Sequence, residues 1–434
     1  MSLDRTDNEL AATEIESGGV PSDGLVSERD RAGLMPCRTE TVATHVASLG
    51  ANRITLLDRR GDVAAGTPLK PGRPILMVNG GGLENGGGIG RMVGYVMEAW
   101  NEGERPPMKV VDTRGPQHRR IVWPFFMLRS IVQVVRNAPR QPILHIHLAA
   151  NSSTWRKMII AHVGKLCGLD YLIHVHDPKY AEFYERLPRW VQRLVRSMFG
   201  HAARVVTLGL PATTMVVQLF GVPRERIDIV PNCVPGPSRL RHKNNPDKGA
   251  PPHILFLGQL QRRKGVHDLI EALAQREVVG LPWIATLAGG GRDQLDFEKQ
   301  AELLGIRDRI TFRGWLGRGP VRTLLEAAEI LVLPSYAEEM AMSVLEGMAF
   351  GLCIICTPVG AQAEVVEHGV SALVVSPGDV DGLASALARS VADPDLRGCL
   401  GRGAREAFLR AYNIADYAER IATVYERVSE GHAR

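Results

Sequence analysis

The sequence lacks any apolar run that approaches the roughly 20 residues needed to cross a bilayer. Its N-terminus also lacks the basic and then apolar stretch of a secretory signal peptide, and carries several acidic residues instead. These absences argue against a membrane-spanning protein and against a secreted one. We therefore expect a cytoplasmic protein.

Cysteine is also scarce, with six residues scattered over the 434 of the chain. This argues against a disulfide scaffold and is typical of proteins from a reducing compartment. Cys353 and Cys356 have C-x-x-C spacing, but they lie in an aliphatic stretch that predicts a β-strand. Side chains three residues apart on a strand point to opposite faces, so this pair cannot share a metal ion or a redox bridge.

What the sequence does contain is a globular composition, with 45% apolar and 23% charged residues. Single hydrophobic cores stop growing near ~250–300 residues, so a chain of 434 residues predicts two domains. From Pro74 onward, short aliphatic runs alternate with longer amphipathic stretches, which is the pattern of β-α-β units and a parallel sheet. The predicted fold class is α/β, with two Rossmann-like, doubly wound domains that face a central cleft.

Changes in composition set the predicted boundaries. Residues 1–50 are polar and aperiodic and are predicted to be disordered. The first domain is predicted over 73–240, a polar linker over 241–252, and the second domain over 253–407. The last segment, 408–434, predicts a helix whose apolar stripe needs a covering surface, and the first domain is the candidate surface.

The sharpest motif is a predicted strand, loop and helix that carries Glu338 and Glu346, eight residues apart. The helix is predicted to begin near Met342, so its first backbone N–H groups, at Met342, Ser343 and Val344, would point into the cleft. Unpaired N–H groups at a helix start suit an anionic diphosphate. The alternative interpretation is an ordinary amphipathic helix with Ser343 as its cap and two solvated carboxylates.

This segment resembles the E-x7-E signature of the retaining glycosyltransferases of family 4, which have the GT-B fold, and the resemblance covers about Ile75 to Tyr425. It implies that Glu338 is a catalytic residue that binds hydroxyls of the donor sugar. It also implies that Glu346 accepts hydrogen bonds from the ribose of the nucleotide. Glu339 stands where the family usually has glycine, and Met340 where it usually has an aromatic residue.

Two other segments of the second domain are similar to family motifs. Arg263 and Lys264 lie in a loop between a strand and a helix. The resemblance implies that both neutralise the donor diphosphate and that Lys264 is catalytic. Gly290 lies in the glycine cluster 289–291 and would let the backbone approach the nucleotide base. A basic surface loop and an ordinary turn are the alternative interpretations of these segments.

The first domain contributes a glycine-rich loop and two strands that carry histidine. Gly87 and Gly88 lie in the loop, whose spacing does not fit the dinucleotide fingerprint but resembles the family loop that closes over donor and acceptor. His176 resembles the family's histidine beside the transferred sugar, and His147 and Asp177 are candidates for acceptor contacts. Three imidazoles and Asp177 could also hold zinc. We expect hydrogen-bonding side chains in the cleft and no metal.

The resemblance also implies a chemical mechanism. The acceptor attacks the donor sugar on the face from which the diphosphate leaves, and the departing phosphate oxygen takes the acceptor's proton. The protein then mainly positions groups and stabilises charge. A nucleotide-diphosphate sugar is the expected co-substrate, with no other cofactor. The expected acceptor is a polyprenyl-diphosphate-linked glycan in exopolysaccharide or cell-surface glycan synthesis.

Charge is distributed unevenly in the first domain, where residues 115–200 contain thirteen Lys or Arg against four Asp or Glu. Basic residues there are mixed with large apolar ones at Trp123, Phe125, Phe126, Met127, Trp155, Arg156, Lys157 and Arg189–Arg196. This mixture predicts peripheral attachment to an anionic membrane surface on the inner face of the cell membrane. A basic helix packed by its apolar side is the alternative.

Two rival functions stay open at this point. A sugar-nucleotide epimerase of the same fold would act on the donor without an acceptor. A catalytically silent scaffold or binding protein would use the basic first domain instead. No nucleic-acid partner is expected, because the aromatic residues lie in apolar surroundings and no known reader motif is present.

Overall fold

The computed structural model describes residues 72–83, 87–101, 105–116, 122–240 and 250–432. The predicted disordered extension and most of the predicted linker lie outside these ranges. The described chain forms two parallel sheets of six strands with flanking helices. The predicted α/β fold of two doubly wound lobes is therefore confirmed.

The first lobe is built from six parallel strands in the order β2-β1-β3-β4-β5-β6. Its elements, in chain order, are β1 (Ile75–Asn79), α1 (Gly87–Asn101), β2 (Met108–Asp112), α2 (Trp123–Asn137), β3 (Ile143–Leu148), α3 (Ser152–Leu166), β4 (Tyr171–Val175), α4 (Tyr180–Glu185), α5 (Arg189–His201), β5 (Arg204–Thr207), α6 (Leu210–Phe220) and β6 (Ile227–Ile229).

The alternation of side chains along β1 separates two hydrophobic cores in this lobe. Ile75 and Met77 pack on one face of the sheet with Trp100 of α1. Leu76 and Val78 pack on the other face, in the core that α2, α3 and α5 cover. Burial on both faces explains why the inner strands are nearly continuous aliphatic runs.

The second lobe repeats this architecture, with strand order β12-β11-β10-β7-β8-β9. Its elements are β7 (His253–Leu257), α7 (Val266–Ala274), α8 (Arg276–Val279), β8 (Ile284–Ala288), α9 (Gln294–Leu303), β9 (Ile310–Gly314), α10 (Arg318–Ala327), β10 (Ile330–Leu333), α11 (Met342–Ala349), β11 (Cys353–Cys356), α12 (Gln362–Val365), β12 (Leu373–Val374), α13 (Val380–Ala392) and α14 (Pro394–Ala411). Cys353 and Cys356 are buried on β11.

The last helix, α15 (Ile414–His432), crosses back to the first lobe and packs on α1. Its apolar stripe, which includes Tyr417, Ile421 and Tyr425, is buried in the same core as Met77. None of the described helices is long and apolar enough to cross a membrane.

Two residues counted as part of the basic surface in the sequence analysis are placed differently by the structure. Arg156 and Lys157 are both buried on α3. That prediction was wrong for this pair, because α3 turns these positions toward the sheet and exposes Trp155 and Ile159 instead.

The strand order of each sheet reverses at one place, between β1 and β3 in the first lobe and between β7 and β10 in the second. Ligands of open α/β sheets bind outside the carboxyl ends of the strands at such reversals. Lys264 follows β7 and Glu338 follows β10, while Gly87 follows β1 and Ala150 follows β3. Four loops from the two lobes are therefore expected to form one site.

Candidate active site

A cleft of about 770 Å³ lies between the two lobes at these strand ends. Both lobes contribute to its walls. Nine of the residues predicted for the site line it, namely Gly87, Gly88, His176, Asp177, Arg263, Lys264, Glu338, Met342 and Ser343. The structure thus brings together residues that are up to 256 positions apart in the sequence, from Gly87 to Ser343.

Lys264 and Glu338 form an ion pair at the reversal in the second sheet. Lys264 Nζ donates a hydrogen bond to Glu338 Oε1, and the Ser335 hydroxyl donates to the same oxygen over 2.7 Å. Thr357 Oγ1 in turn donates to the carbonyl oxygen of Ser335. The carboxylate is mostly buried and its position is fixed from two sides, which leaves Glu338 little rotational freedom in the cleft wall.

A glycine holds the two loops of this ion pair against each other. Gly265, directly after Lys264, has a φ of 68°. A Cβ atom built there would lie 2.0 Å from the carbonyl oxygen of Pro334. Only glycine combines this backbone conformation with so close an approach. The Tyr336 N–H also donates to the carbonyl oxygen of Arg263, so the cationic loop and the glutamate loop are bonded directly.

The start of α11 supplies unpaired backbone donors beside this pair. The helix begins at Met342, and its N-cap residue Ala341 offers no side-chain acceptor. Ser343 lies inside the first turn, so it is not the cap that the alternative interpretation assumed. The N–H groups of Met342, Ser343 and Val344 lack intrahelical acceptors, and the helix dipole adds positive potential there. The side chain of Val344 itself is buried.

Glu346 lies behind the cleft wall and contacts the first lobe. Its Oε1 accepts hydrogen bonds from Arg91 Nη1 over 3.2 Å and from Tyr95 Oη over 3.0 Å, both on α1. Burial raises the pKa of Glu346, and the charge of Arg91 opposes that rise. The carboxylate predicted to bind ribose therefore has hydroxyl and guanidinium donors as its partners in this structure.

Arg263 and Gly290 flank the same wall. Arg263 is exposed, and its guanidinium donates to the carbonyl oxygen of Ala337 in the glutamate loop. In the glycine cluster, Gly289 lines the cleft, whereas the predicted residue Gly290 lies next to it in the chain. The residue nearest to a Cβ atom built on Gly290 is Trp315. Gly289 has no room for a side chain, because its Cβ would lie 1.7 Å from the carbonyl oxygen of Gly258.

Four histidines stack in the first lobe, and one of them, His176, reaches the cleft. His145 Nδ1 is bonded to Tyr425 Oη at 2.7 Å, and its Nε2 to His174 Nδ1 at 3.1 Å. His147 Nδ1 is bonded to His176 Nε2 at 2.9 Å. Burial lowers the pKa of His145 and of His176 to about 3, so both rings are neutral near pH 7.

The histidines and Asp177 have different positions relative to the cleft. His176 lines it, whereas His147 is buried behind His176. Ligand nitrogens of His145, His147 and His174 lie within 4.8 Å of one another, as a metal site requires. Asp177, the fourth ligand considered in the sequence analysis, is engaged elsewhere, since its two oxygens accept from the N–H groups of Ala150 and Lys179.

The second lobe matches a known protein family. Residues 238–407 match the model described as Glycosyl transferases group 1. A 2-deoxystreptamine glucosyltransferase of Streptomyces kanamyceticus is 25% identical over 321 residues, 70% of this chain and 82% of that protein. The lipopolysaccharide core biosynthesis glycosyltransferase LpsE of Rhizobium meliloti is 33% identical over 170 residues, 37% of this chain and 48% of that protein.

A solved structure shares the two-lobed fold. HepE of Anabaena in complex with UDP superimposes with a TM-score of 0.65 at 19% identity, over 81% of this chain and 99% of that one. At that identity the likeness shows the fold, which is GT-B. The family match thus covers the second lobe, and the shared fold covers both lobes.

Three residues of the site were not predicted from the sequence. Arg91 and Tyr95 donate hydrogen bonds to Glu346. They are four residues apart on the helix that follows the glycine-rich loop, and this spacing, which places them on one helix face, is the sequence feature that could have pointed to them. Glu339 lines the cleft as a buried carboxyl group with Oε1 unpaired among the described residues. Its position next to Glu338 was visible in the sequence, but its burial was not.

Proposed function

We propose that the protein is a retaining glycosyltransferase that transfers a hexose from a nucleotide-diphosphate sugar to a lipid-linked saccharide acceptor. The role would be exopolysaccharide or cell-surface glycan synthesis at the inner face of the cell membrane. The observation that carries the proposal is the Lys264–Glu338 ion pair beside the first turn of α11, in the wall of the interlobe cleft.

The positive groups of the second lobe suit a diphosphate. Lys264 and Arg263 line the cleft next to the N–H groups of Met342 and Ser343. Two cations and a helix start on one wall stabilise an anion most strongly where water is excluded. The diphosphate gains charge when its bond to the sugar breaks, so these groups favour the transition state over the bound donor.

The two glutamates suit hydroxyl groups. Glu338 holds its carboxylate in the cleft wall, where one oxygen is fixed by Lys264 and Ser335 and the other can accept from the donor sugar. Glu346 accepts from Arg91 and Tyr95, and ribose hydroxyls would take the place of these donors. The complexes of HepE with UDP and with UDP-glucose make UDP-glucose the first donor to test.

Retention follows if attack and departure share one face of the sugar. The acceptor oxygen forms a bond to the anomeric carbon as the bond from that carbon to the phosphate oxygen breaks. The acceptor's proton goes to the departing phosphate oxygen, so the products are the glycosylated acceptor and a nucleoside diphosphate. His176, neutral and oriented by His147, would contact the transferred sugar as a hydrogen-bonding partner. No divalent cation enters this scheme.

One face of the first lobe supports a membrane-linked acceptor. Helices α2, α3 and α5 pack side by side and expose an apolar surface, here named the aromatic-basic face: Trp123, Phe125, Leu128, Trp155, Ile159, Trp190 and Leu194. The rings of Trp155 and Trp190 lie 6.4 Å apart and join α3 to α5. Exposed arginines on the same helices, such as Arg129 and Arg193, complement the charge of anionic lipid.

The relatives act on different acceptors, by their names. LpsE is named for lipopolysaccharide core biosynthesis, whereas the Streptomyces relative is named for 2-deoxystreptamine. The aromatic-basic face is what favours the lipid-linked class for this chain.

Purified protein incubated with a panel of nucleotide sugars and a membrane lipid extract tests the proposal, with release of nucleoside diphosphate as the readout. We expect release with one donor and only when the extract is present. Lys264→Ala should lower kcat by about 100-fold, as expected for loss of one preorganised charge contact. Lys299→Ala changes an exposed lysine of the same lobe and should leave turnover unchanged.

Two results would contradict the proposal. Equal turnover by the wild type and Lys264→Ala on the true donor would remove the phosphate role of the cationic loop. Conversion of the donor sugar to an isomer without any acceptor would favour the epimerase instead.

A further inference from the structure

A second cluster of cations lies in the first lobe at the reversal of its sheet. Arg156 and Lys157 occupy the second turn of α3, after the loop that ends β3. Thr113 and Arg114 follow β2, and Gly80 follows β1. The cluster therefore lies outside the carboxyl ends of neighbouring strands, where open α/β sheets bind ligands.

The two cations of α3 are buried with few partners. Lys157 is fully buried, and its ammonium donates to Thr113 Oγ1 over 2.8 Å. Arg156 is 8% exposed, and its Nε is buried with no hydrogen-bond partner in the described part of the chain. A buried charge without such partners is costly, so groups of this kind normally pair with an anion.

In the described part of the chain, Asp112 is the acidic residue that acts on both cations, and one of its oxygens is already engaged. Asp112 Oδ1 accepts from three backbone N–H groups, those of Gly81, Arg114 and Gly115. Burial, with the charge of Arg156 next, holds the pKa of Lys157 well below its usual range, and Asp112 opposes this shift. Among the described residues, one carboxylate thus opposes the positive charges of both Arg156 and Lys157.

The cluster lies next to the cleft. The Gly80 backbone approaches Arg156 closely, since a Cβ atom on Gly80 would lie 3.4 Å from Arg156 Nη2. Ala150 and Asn151, directly before α3, line the cleft, and so do Gly87 and Gly88 at the start of α1. An anion held by the cluster would sit on the acceptor side of the cleft.

We infer that Arg156 and Lys157, with Thr113 and the backbone at Gly80, form a second anion site that binds the diphosphate of the acceptor. The inference rests on the proposed function, because it takes the acceptor to be linked through a diphosphate. A guanidinium presents paired N–H donors that match phosphate oxygens, and a lysine adds a point charge. The two lobes then hold one diphosphate each, that of the donor on Lys264 and that of the acceptor on Arg156.

Calorimetric titration of the full-length protein with inorganic pyrophosphate tests this assignment. We expect two binding sites on the wild type. Arg156→Gln should weaken one of them by about 10-fold or more, the effect of losing a charge-assisted hydrogen bond, and Arg156→Lys should restore part of the affinity. Lys264→Ala should weaken the other site. Lys165→Gln removes an exposed charge from the same helix and should retain both sites.

The melting temperature of Arg156→Gln shows whether that variant folds. If it does not, Lys157→Met serves as the second variant, because methionine fills a volume similar to that of lysine and carries no charge. Farnesyl diphosphate, a short polyprenyl diphosphate, should displace pyrophosphate from the Arg156 site. If it leaves pyrophosphate bound there, the site takes free phosphate and the acceptor role is overturned.

The two proposals fail separately. If the titration shows one pyrophosphate site that is lost in Lys264→Ala and unchanged in Arg156→Gln and Lys157→Met, the second anion site is overturned and the proposed donor site stands. If Arg156→Gln loses a pyrophosphate site and Lys264→Ala binds pyrophosphate as the wild type does, the result supports the second anion site and counts against the proposed donor site.

Discussion

At the scale of single residues, Glu339 is the acid of the cleft whose ionisation should affect stability most. Burial, and next the charges of Asp177 and Glu364, raise its pKa to about 7. The native state then holds a proton between pH ~4.5 and 7 that the unfolded chain has released. The free energy of unfolding should therefore fall as pH rises through this window, by on the order of 3 kcal/mol from this residue. Glu339→Gln should abolish that fall.

Urea unfolding of the wild type and Glu339→Gln at intervals from pH 4.5 to 8 checks this prediction. The buried histidines, with lowered pKa values, contribute the opposite slope, but they do so in both proteins and cancel in the difference. Glu302→Gln, at an exposed position on α9, should run parallel to the wild type. Parallel curves for Glu339→Gln would contradict the prediction.

The sequence predicted that Lys264 and Glu338 would lie in one cleft, because their motifs are local. Lys264 and Glu338 each follow a strand at the sheet reversal, and parallel strands deliver such residues to one edge. The partners of Glu346 could not be predicted, since Arg91 lies 255 positions away in the other lobe. The burial of Arg156 and Lys157 was missed because composition records charge and not the direction in which a helix turns it.

At the scale of elements, α15 packs on the first lobe and buries two tyrosines, which differ in whether the hydroxyl group has a hydrogen-bond partner. Tyr425 Oη is bonded to His145 Nδ1, whereas Tyr417 Oη has no partner among the described residues. Tyr425→Phe should destabilise the protein by about 1–3 kcal/mol, because it leaves a buried ring nitrogen unpaired. Tyr417→Phe removes an unpaired hydroxyl and should be neutral or stabilising.

The two tyrosine variants form a matched pair on one helix, so denaturant unfolding at pH 7 compares them directly. Both keep the aromatic ring and its packing, and any difference reports the hydroxyl alone. A Tyr417→Phe protein less stable than Tyr425→Phe would show that the bond from α15 to the histidine stack does not stabilise the helix.

Most elements were predicted from periodicity, and the exceptions have physical reasons. The strand β2 was not predicted, because Met108–Asp112 is a partly exposed edge strand whose sequence includes Lys109 and Asp112. The last helix was predicted in the segment 408–434 and is observed over Ile414–His432. Its apolar stripe shows that a covering surface is needed, but a stripe does not specify which surface.

At the scale of the whole molecule, the aromatic-basic face predicts binding to vesicles that contain anionic lipid. Flotation with anionic and neutral vesicles should show recovery of the protein with the anionic ones. Arg193→Gln/Arg196→Gln should weaken binding by roughly 10-fold or more, since each cation near the surface contributes about 1 kcal/mol. Added salt should weaken the wild type more than this variant, because salt screens the charges that the variant has lost.

The apolar part of the same face can be separated from its charge by a matched pair of variants. Leu128→Ser/Leu194→Ser removes two leucines from the aromatic-basic face, and Leu295→Ser/Leu303→Ser removes two exposed leucines from α9 of the other lobe. Both variants carry the same two substitutions and keep the same net charge. Insertion of the face into lipid buries only the first pair, at about 25 cal/mol per Å², so only the first variant should float less, by about 10-fold. Equal flotation of the two variants would mean that the contact is electrostatic alone or lies elsewhere on the molecule, and the lipid-linked acceptor would lose its structural support.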